Sequence, residues 1–132
     1  VAQIDCMGNQ EQGNLNGTDA LTANPNAVAI FGGNDPTALG AYAAAEAAGS
    51  KALIYGVDGS PDIKALIAEG AMTGPIKQDA QGMAAAVSQT VKGILDGSAP
   101  VDAVAALSDA RFSIAPEAAT KLYVAYAPYT GA

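Results

Sequence analysis

Side chains suited to hydrogen-bonding chemistry recur at one kind of place in this sequence, just after each short run of β-prone residues. Asn9 follows Ala2-Gln3-Ile4-Asp5-Cys6, Asn34 and Asp35 follow Val28-Ala29-Ile30-Phe31, Asp58 ends Leu53-Ile54-Tyr55-Gly56-Val57, and Gln78 and Asp79 follow the run from Ala71 to Ile76. Amides and carboxylates on neighbouring loops match the hydroxyls of a polyol, because each hydroxyl both donates and accepts and each of these side chains accepts or bridges. That is recognition without a nucleophile. Some of the same residues have a plainer use: Asp35, just ahead of Pro36, reads as a helix N-cap, Asn34 fits a turn, and Asp79 fits another cap. Asp58 and Gln78 are harder to explain that way, since Ser60 already supplies a cap beyond Asp58 and glutamine is a poor capping residue.

Catalytic readings start badly. The chain has no histidine, hence neither the commonest general base nor the commonest metal ligand. Cys6 and Ser60 are the nucleophiles to consider, but neither can have a histidine base, and Ser60 sits in a capping position. With one cysteine no internal disulfide forms. Asp5, Asp58 and Lys77 stand at strand ends as in a phosphoacceptor receiver domain, yet that chemistry needs an acidic pair after the first strand and Asp5-Cys6 supplies one acid. Gly32-Gly33 lacks the G-x-G-x-x-G spacing of a dinucleotide site. Neither a cofactor nor a metal is implied. A net charge of −7, with the six lysines and arginines dispersed along the chain, argues against a nucleic-acid partner.

The elements that must position these groups follow from the punctuation. A length of 132 residues allows one domain with one core. Half of the residues are hydrophobic, with alanine by far the commonest and no tryptophan, so the core is expected to be built from small side chains in close approach. Short β-prone runs alternating with alanine-rich helical segments predict an α/β fold, a parallel sheet flanked by helices. Four strand-helix units are expected across residues 1–97. The first helix runs from about Glu11 to Ala23 and stops at Asn24-Pro25, with Gly13 and Gly17 weakening it. The second opens at Asp35-Pro36 and ends before Gly49; the third opens at Ser60-Pro61 and ends at Gly70. The fourth carries Met83, Val87, Val91, Ile94 and Leu95 on a 3.6-residue period before Gly97, a stripe that needs something to cover. From Ser98 the pattern changes. Ala99-Pro100 reads as a linker into a tail, residues 98–132, whose β-like runs Arg111 to Ile114 and Leu122 to Tyr126 give it the option of returning to a sheet edge. Tyr123, Tyr126 and Tyr129 in that tail are read as packing or edge residues.

These segments also carry a resemblance. Leu21-Thr22-Ala23-Asn24-Pro25, then Ala29-Ile30-Phe31-Gly32-Gly33-Asn34-Asp35, Ala38-Leu39-Gly40-Ala41, Gly56-Val57-Asp58-Gly59-Ser60-Pro61-Asp62 and Ile76-Lys77-Gln78-Asp79 look like the C-terminal lobe of type I periplasmic sugar-binding proteins, the ribose-binding group above all. Five short motifs in the family's order and at similar spacing, between about Val1 and Gly97, are specific where each alone is weak. The resemblance implies one lobe of a two-lobe fold, with Asn34, Asp58 and Gln78 hydrogen-bonded to sugar hydroxyls, the Asp58 carboxylate as acceptor, and Gln78 just before the chain crosses to the other lobe. In the loop after the first strand, where such proteins often stack an aromatic on the sugar ring, this chain has Met7-Gly8-Asn9, and Asn9 is the polar group offered there.

It further implies the substrate-binding component of an ABC-type sugar transporter, periplasmic or extracellular and not an enzyme, that binds a small sugar or polyol and presents it to a membrane permease. The family's N-terminal lobe and the first strand-helix unit of this lobe are missing from the motif order, so a C-terminal lobe fragment is expected, completed by the missing lobe, a second chain or a homodimer. A start at Val1-Ala2-Gln3 without methionine or a secretory pattern agrees with a processed or truncated chain, and no run reaches the ~20 apolar residues of a membrane helix. Two alternatives stand beside this. A lac-repressor-type effector-binding domain shares the fold, although the chain holds no basic helix-turn-helix segment and the Gln78-Asp79 step favours the transport protein. A lobe kept for its fold or for assembly would bind nothing, since half of a clamp loses the enclosure that removes a ligand from water.

Overall fold

Capping residues and prolines open the helices of this α/β fold, and the computed structural model describes residues 2–107 and 109–129. In chain order the elements are α1 (Gln10–Ala23), β1 (Ala29–Phe31), α2 (Asp35–Ala48), β2 (Leu53–Asp58), α3 (Pro61–Ala68), β3 (Gly74–Lys77), α4 (Ala80–Leu95), α5 (Pro100–Ala105), β4 (Phe112–Ala115), β5 (Ala118–Val124) and β6 (Ala127–Pro128). They fall into two units, one running to Lys77 and taking in the segment from Ala127, the other spanning Gln78–Tyr126.

The first unit is built on a sheet of order β1-β2-β3-β6. β1 and β3 run parallel to β2, with Ala29 opposite Leu53 and Tyr55 opposite Gly74, while β6 closes the far edge antiparallel to β3. Side chains alternate across the strands. Ile54 is buried with Leu21 of α1, Ala38, Ala44 and Ala45 of α2 and Ile63 of α3, so these three helices cover one face. On the other face Phe31 stacks on Tyr55 with ring centroids 4.8 Å apart, Val57 lies opposite Ile76, and Phe31, Leu53 and Ile76 are exposed.

Small residues let α1 and α2 approach closely. A Cβ on Gly40 would stand 2.1 Å from the Gln10 carbonyl oxygen, and one on Gly13 would stand 2.5 Å from that of Thr37, so neither position has room for a side chain. Gly17 faces Ala41 and Ala44 in the same way. The two glycines that weaken α1 as an isolated helix are thus the ones that let it dock.

Three local expectations are corrected. Residues 2–6 form no strand. Their backbone groups are engaged elsewhere: Asn16 Nδ2 donates to the Asp5 carbonyl at 3.3 Å, and the Cys6 carbonyl accepts from Asn9 N–H at 2.9 Å. An open groove of about 1020 Å³, lined by Ile4, Cys6, Gly17, Leu21, Val28 and Phe31 among others, separates this segment from the edge of β1, so no ladder can form. The cap of α2 is Asn34, not Asp35, because the Asn34 side chain accepts the Thr37 N–H while Asp35 is already helical. Ala99-Pro100 opens a short helix, α5, since proline is preset for a first helical turn and Ala103 and Val104 are buried.

In the second unit α4 packs on α5 and α5 on β5, with Gly93 allowing an approach in which a Cβ would lie 3.1 Å from that of Ala103. β4 and β5 form an antiparallel hairpin, Phe112 opposite Val124, with a register shift between Ile114 and Ala115. The apolar stripe of α4 has the expected period, yet Val87, Val91, Ile94 and Leu95 are exposed. Met83, Val87 and Val91 face Leu122, Val124 and Tyr126 across a groove of about 510 Å³. Among the described residues no helix is long and apolar enough to cross a membrane.

Candidate functional site

The carboxyl ends of β1, β2 and β3 lie on one side of the parallel part of the sheet, and the loops that leave them carry the polar side chains. Helix N-termini point their partial positive charge to that side, which suits a ligand rich in oxygen.

Asn34 uses both ends of its amide. Oδ1 accepts from Thr37 N–H at 3.0 Å, capping α2, and Nδ2 donates to the Gly8 carbonyl at 3.0 Å, tying the first loop to the second. The approach is close, for a Cβ on Gly8 would lie 2.9 Å from Asn34 Nδ2, and the positive φ of Gly8 (+65°) suits glycine. Asn9, next in the chain, is the N-cap of α1, its Oδ1 accepting from Glu11 N–H at 2.8 Å and Gln12 N–H at 3.2 Å.

Asp58 ends β2 with φ at 120°, a conformation that side-chain-bearing residues rarely hold, and Gly59 follows at 80°. Strain of this kind survives where the surroundings fix it, and it gathers at ligand clamps and active sites. Asp35 reaches the same loop. That residue is 1% exposed, and its Oδ2 accepts the Ser60 N–H from the loop after β2. Two hydrogen bonds therefore link three loops, Gly8 to Asn34 and Asp35 to Ser60, and bring Asn9, Asn34 and Asp58 into one connected set.

Gln78 belongs to the second unit. Half-buried, it precedes Asp79, whose Oδ1 accepts Gly82 N–H at 2.9 Å and caps α4 as the sequence predicts. It lines the groove between α4 and β5. Arg111 Nη1 donates to Asp79 Oδ2 at 2.8 Å and Arg111 Nη2 to Asp109 Oδ2 at 2.6 Å, so one guanidinium joins the start of α4 to the turn before β4. Hydrogen bonds from the Arg111 side chain, then from its backbone, hold the Asp109 carboxyl well below its ordinary range, at about 2. Hydrogen bonds from Lys121 and then Tyr123 lower Glu117 in the same direction. The tyrosines of the tail are edge residues in part: Tyr123 bonds Glu117, and Tyr129 lies under the Lys64 ammonium, 5.4 Å from the ring centroid.

Sequence reasoning places the polar loops but misses how they are joined. The Gly8 carbonyl and the Ser60 N–H are backbone groups and leave no side-chain signature. One signal was present: Gly56 inside a β-run marks a place where something approaches the strand closely. A Cβ there would stand 2.7 Å from Asp35 Oδ1. Among the described residues no cluster of three or more His, Cys, Asp or Glu side chains forms a metal site.

Known proteins resemble this chain in sequence and fold. Over 78 residues, 58% of this chain, the sequence is 36% identical to the ribose import binding protein of Escherichia coli K12, of which it spans 26%. A periplasmic solute-binding protein of an ABC transporter from Actinobacillus succinogenes, solved with bound D-allose, superposes with a TM-score of 0.68 at 36% identity over 76% of this chain and 37% of its own. A second solute-binding protein, from Agrobacterium vitis and solved with bound D-fucose, gives a TM-score of 0.68 at 28% identity over 73% of this chain and 34% of its own. The chain therefore spans about a quarter to a little over a third of these relatives. Its residues 1–99 match the model of the periplasmic binding protein domain, and the chain belongs to that family, in its type I, ribose-binding-like branch.

Proposed function

We propose that this chain supplies one lobe of the substrate-binding component of an ABC-type sugar transporter, holding a small sugar or polyol by hydrogen bonds without changing it chemically. Asn34 and Asp58, with Asn9 beside them, are the groups assigned to the ligand in the first unit, and Gln78 is the one assigned in the second. The observation that carries the reading is the strained Asp58, a carboxylate held at positive φ at the carboxyl end of a parallel strand. Sugars bound by the Actinobacillus and Agrobacterium relatives support the ligand class. In the cell the protein is proposed to act outside the cytoplasmic membrane, closing with a second lobe over the sugar and presenting it to the permease. Pairing with another lobe or with a second copy of this chain is part of the same reading.

The test is a titration of the chain with D-ribose, D-allose and D-fucose, followed by amide NMR, which detects weak binding. At least one sugar is expected to shift the amides of Asn34, Asp58 and Gly59. In Asp58→Ala the affinity should fall by about 2–3 kcal/mol, the loss of a hydrogen-bonded charged group from a polar site, with the fold unchanged. Equal affinity in that variant would remove Asp58 from the site, and indifference of the wild-type chain to all three sugars at millimolar concentration would overturn binding by this lobe alone.

A further inference from the structure

The sugar-binding reading leaves unexplained why a carboxylate that neither caps its helix nor reaches solvent is kept at position 35. Asn34 already caps α2, and Asp35 is 1% exposed. Burying a carboxylate is unfavourable unless its oxygens are well satisfied. Yet Oδ2 accepts the Ser60 N–H, and Oδ1 has no hydrogen-bond partner among the described residues. The neighbourhood is shaped to admit it all the same. Gly56 of β2 lies directly beneath, where a Cβ would come within 2.7 Å of Oδ1 and 2.8 Å of Ile63 Cδ1. On the far side of the bond is the backbone of Asp58-Gly59-Ser60, with φ of 120° at Asp58 and 80° at Gly59. Ser60 is itself the cap of α3, its Oγ accepting from Ile63 N–H at 3.5 Å. A pull on Ser60 N–H from one side and the start of α3 on the other leaves the two residues before it little freedom.

We infer that Asp35 is a positioning residue for sugar binding: from the first turn of α2 its buried carboxylate grips the Ser60 N–H and thereby holds Asp58 in the conformation that presents its carboxylate to the ligand. It touches no ligand itself. The inference extends the sugar-binding reading, but its primary test needs no sugar.

That test compares Asp35→Ala, Asp35→Asn and Gly56→Ala in the full chain by NMR. Asparagine keeps a carbonyl acceptor of the same shape, alanine removes it, and the methyl on residue 56 pushes it aside. In Asp35→Ala and Gly56→Ala the Ser60 amide should exchange about tenfold faster, the loss of one good hydrogen bond. The φ-sensitive amide coupling of Asp58 should leave its wild-type value in both, while amides of β1 and the body of α2 keep theirs. Asp35→Asn should restore both readings. A folded Asp35→Ala whose Asp58 coupling and Ser60 exchange match wild type overturns the inference, as does an asparagine variant no better than alanine. Should Asp35→Ala fail to fold, Gly56→Ala and Asp35→Asn give the same decision. Where the wild type binds a sugar, its affinity should follow the coupling, falling at least about tenfold in Asp35→Ala and recovering in Asp35→Asn. A wild type that binds no sugar while the coupling still responds to Asp35 overturns sugar binding by this lobe alone and leaves the positioning of Asp58 by Asp35 intact.

Discussion

Asn34 and Asp35 are neighbours of similar shape with opposite duties, and the difference lies in one helical step. At the cap position a side-chain oxygen reaches the N–H groups of its own first turn, whereas one residue later it is inside the helix and must look elsewhere. The sequence predicts the cap at Asp35 because Pro36 then falls at the first helical position; in the structure proline stands at the second, which its fixed φ also allows. Asn34 Nδ2 adds the bond to Gly8, which requires the first loop to have folded back, a relation between residues 26 apart that no local pattern encodes. The two bonds can be separated. Asn34→Ala loses both and should lower stability by about 2 kcal/mol, one part from the cap and one from the Gly8 tie. Asn34→Asp keeps the acceptor for Thr37 and loses only the donor, so it should cost roughly half as much. Urea unfolding with an unchanged slope measures both; alanine and wild-type midpoints that coincide would mean that neither bond contributes in solution.

At the scale of elements, strand and helix were legible wherever punctuation and period agreed. Ser60-Pro61 opens α3 as read, Gly49 closes α2 in the left-handed conformation as read, and the stripe from Met83 to Leu95 lies on α4. Legibility fails where an element depends on a neighbour. Residues 2–6 have strand-like composition but no adjacent strand, and composition cannot supply one. Proline in Ala99-Pro100 is equally at home in a linker and at a helix start, and only the burial of Ala103 and Val104 decides between them. Docking of α1 on α2 shows the same principle with a sign attached. In an isolated helix Gly→Ala stabilises by about 1 kcal/mol. At Gly40 the new Cβ would meet the Gln10 carbonyl at 2.1 Å and Asn14 N at 2.6 Å, both backbone atoms that move only if a helix moves. Gly40→Ala should therefore destabilise by about 1–3 kcal/mol, overpacking outweighing propensity. A thermal midpoint at or above wild type in that variant would show that the two helices sit farther apart than the structure has them.

For the molecule as a whole, the unresolved demand is the sheet face opposite α1, α2 and α3. Phe31 is 76% exposed, Leu53 49% and Ile76 43%, and Tyr55 and Val57 lie between them on the same side of the strands. Contiguous apolar patches beyond a few hundred Å² are uncommon on soluble monomers and generally mark a place where something docks. Relatives about twice as long have more polypeptide with which to cover such a face, since the matched part of this chain spans 37% of the Actinobacillus protein and 34% of the Agrobacterium one. When the chain is by itself, water is the alternative to a second copy, and burying such a face is worth about 25 cal/mol for each Å² removed from water. Light scattering on the pure chain should accordingly give a mass above the 13.0 kDa of one copy, rising with concentration. The double substitution Phe31→Lys and Leu53→Lys should bring it back to one copy without loss of helix signal, because both side chains point away from the buried cluster around Ile54. A wild-type mass of one copy at every concentration would mean that the face tolerates water. An oligomer indifferent to the two lysines would move the contact elsewhere, to the groove beside β1 or to the exposed stripe of α4.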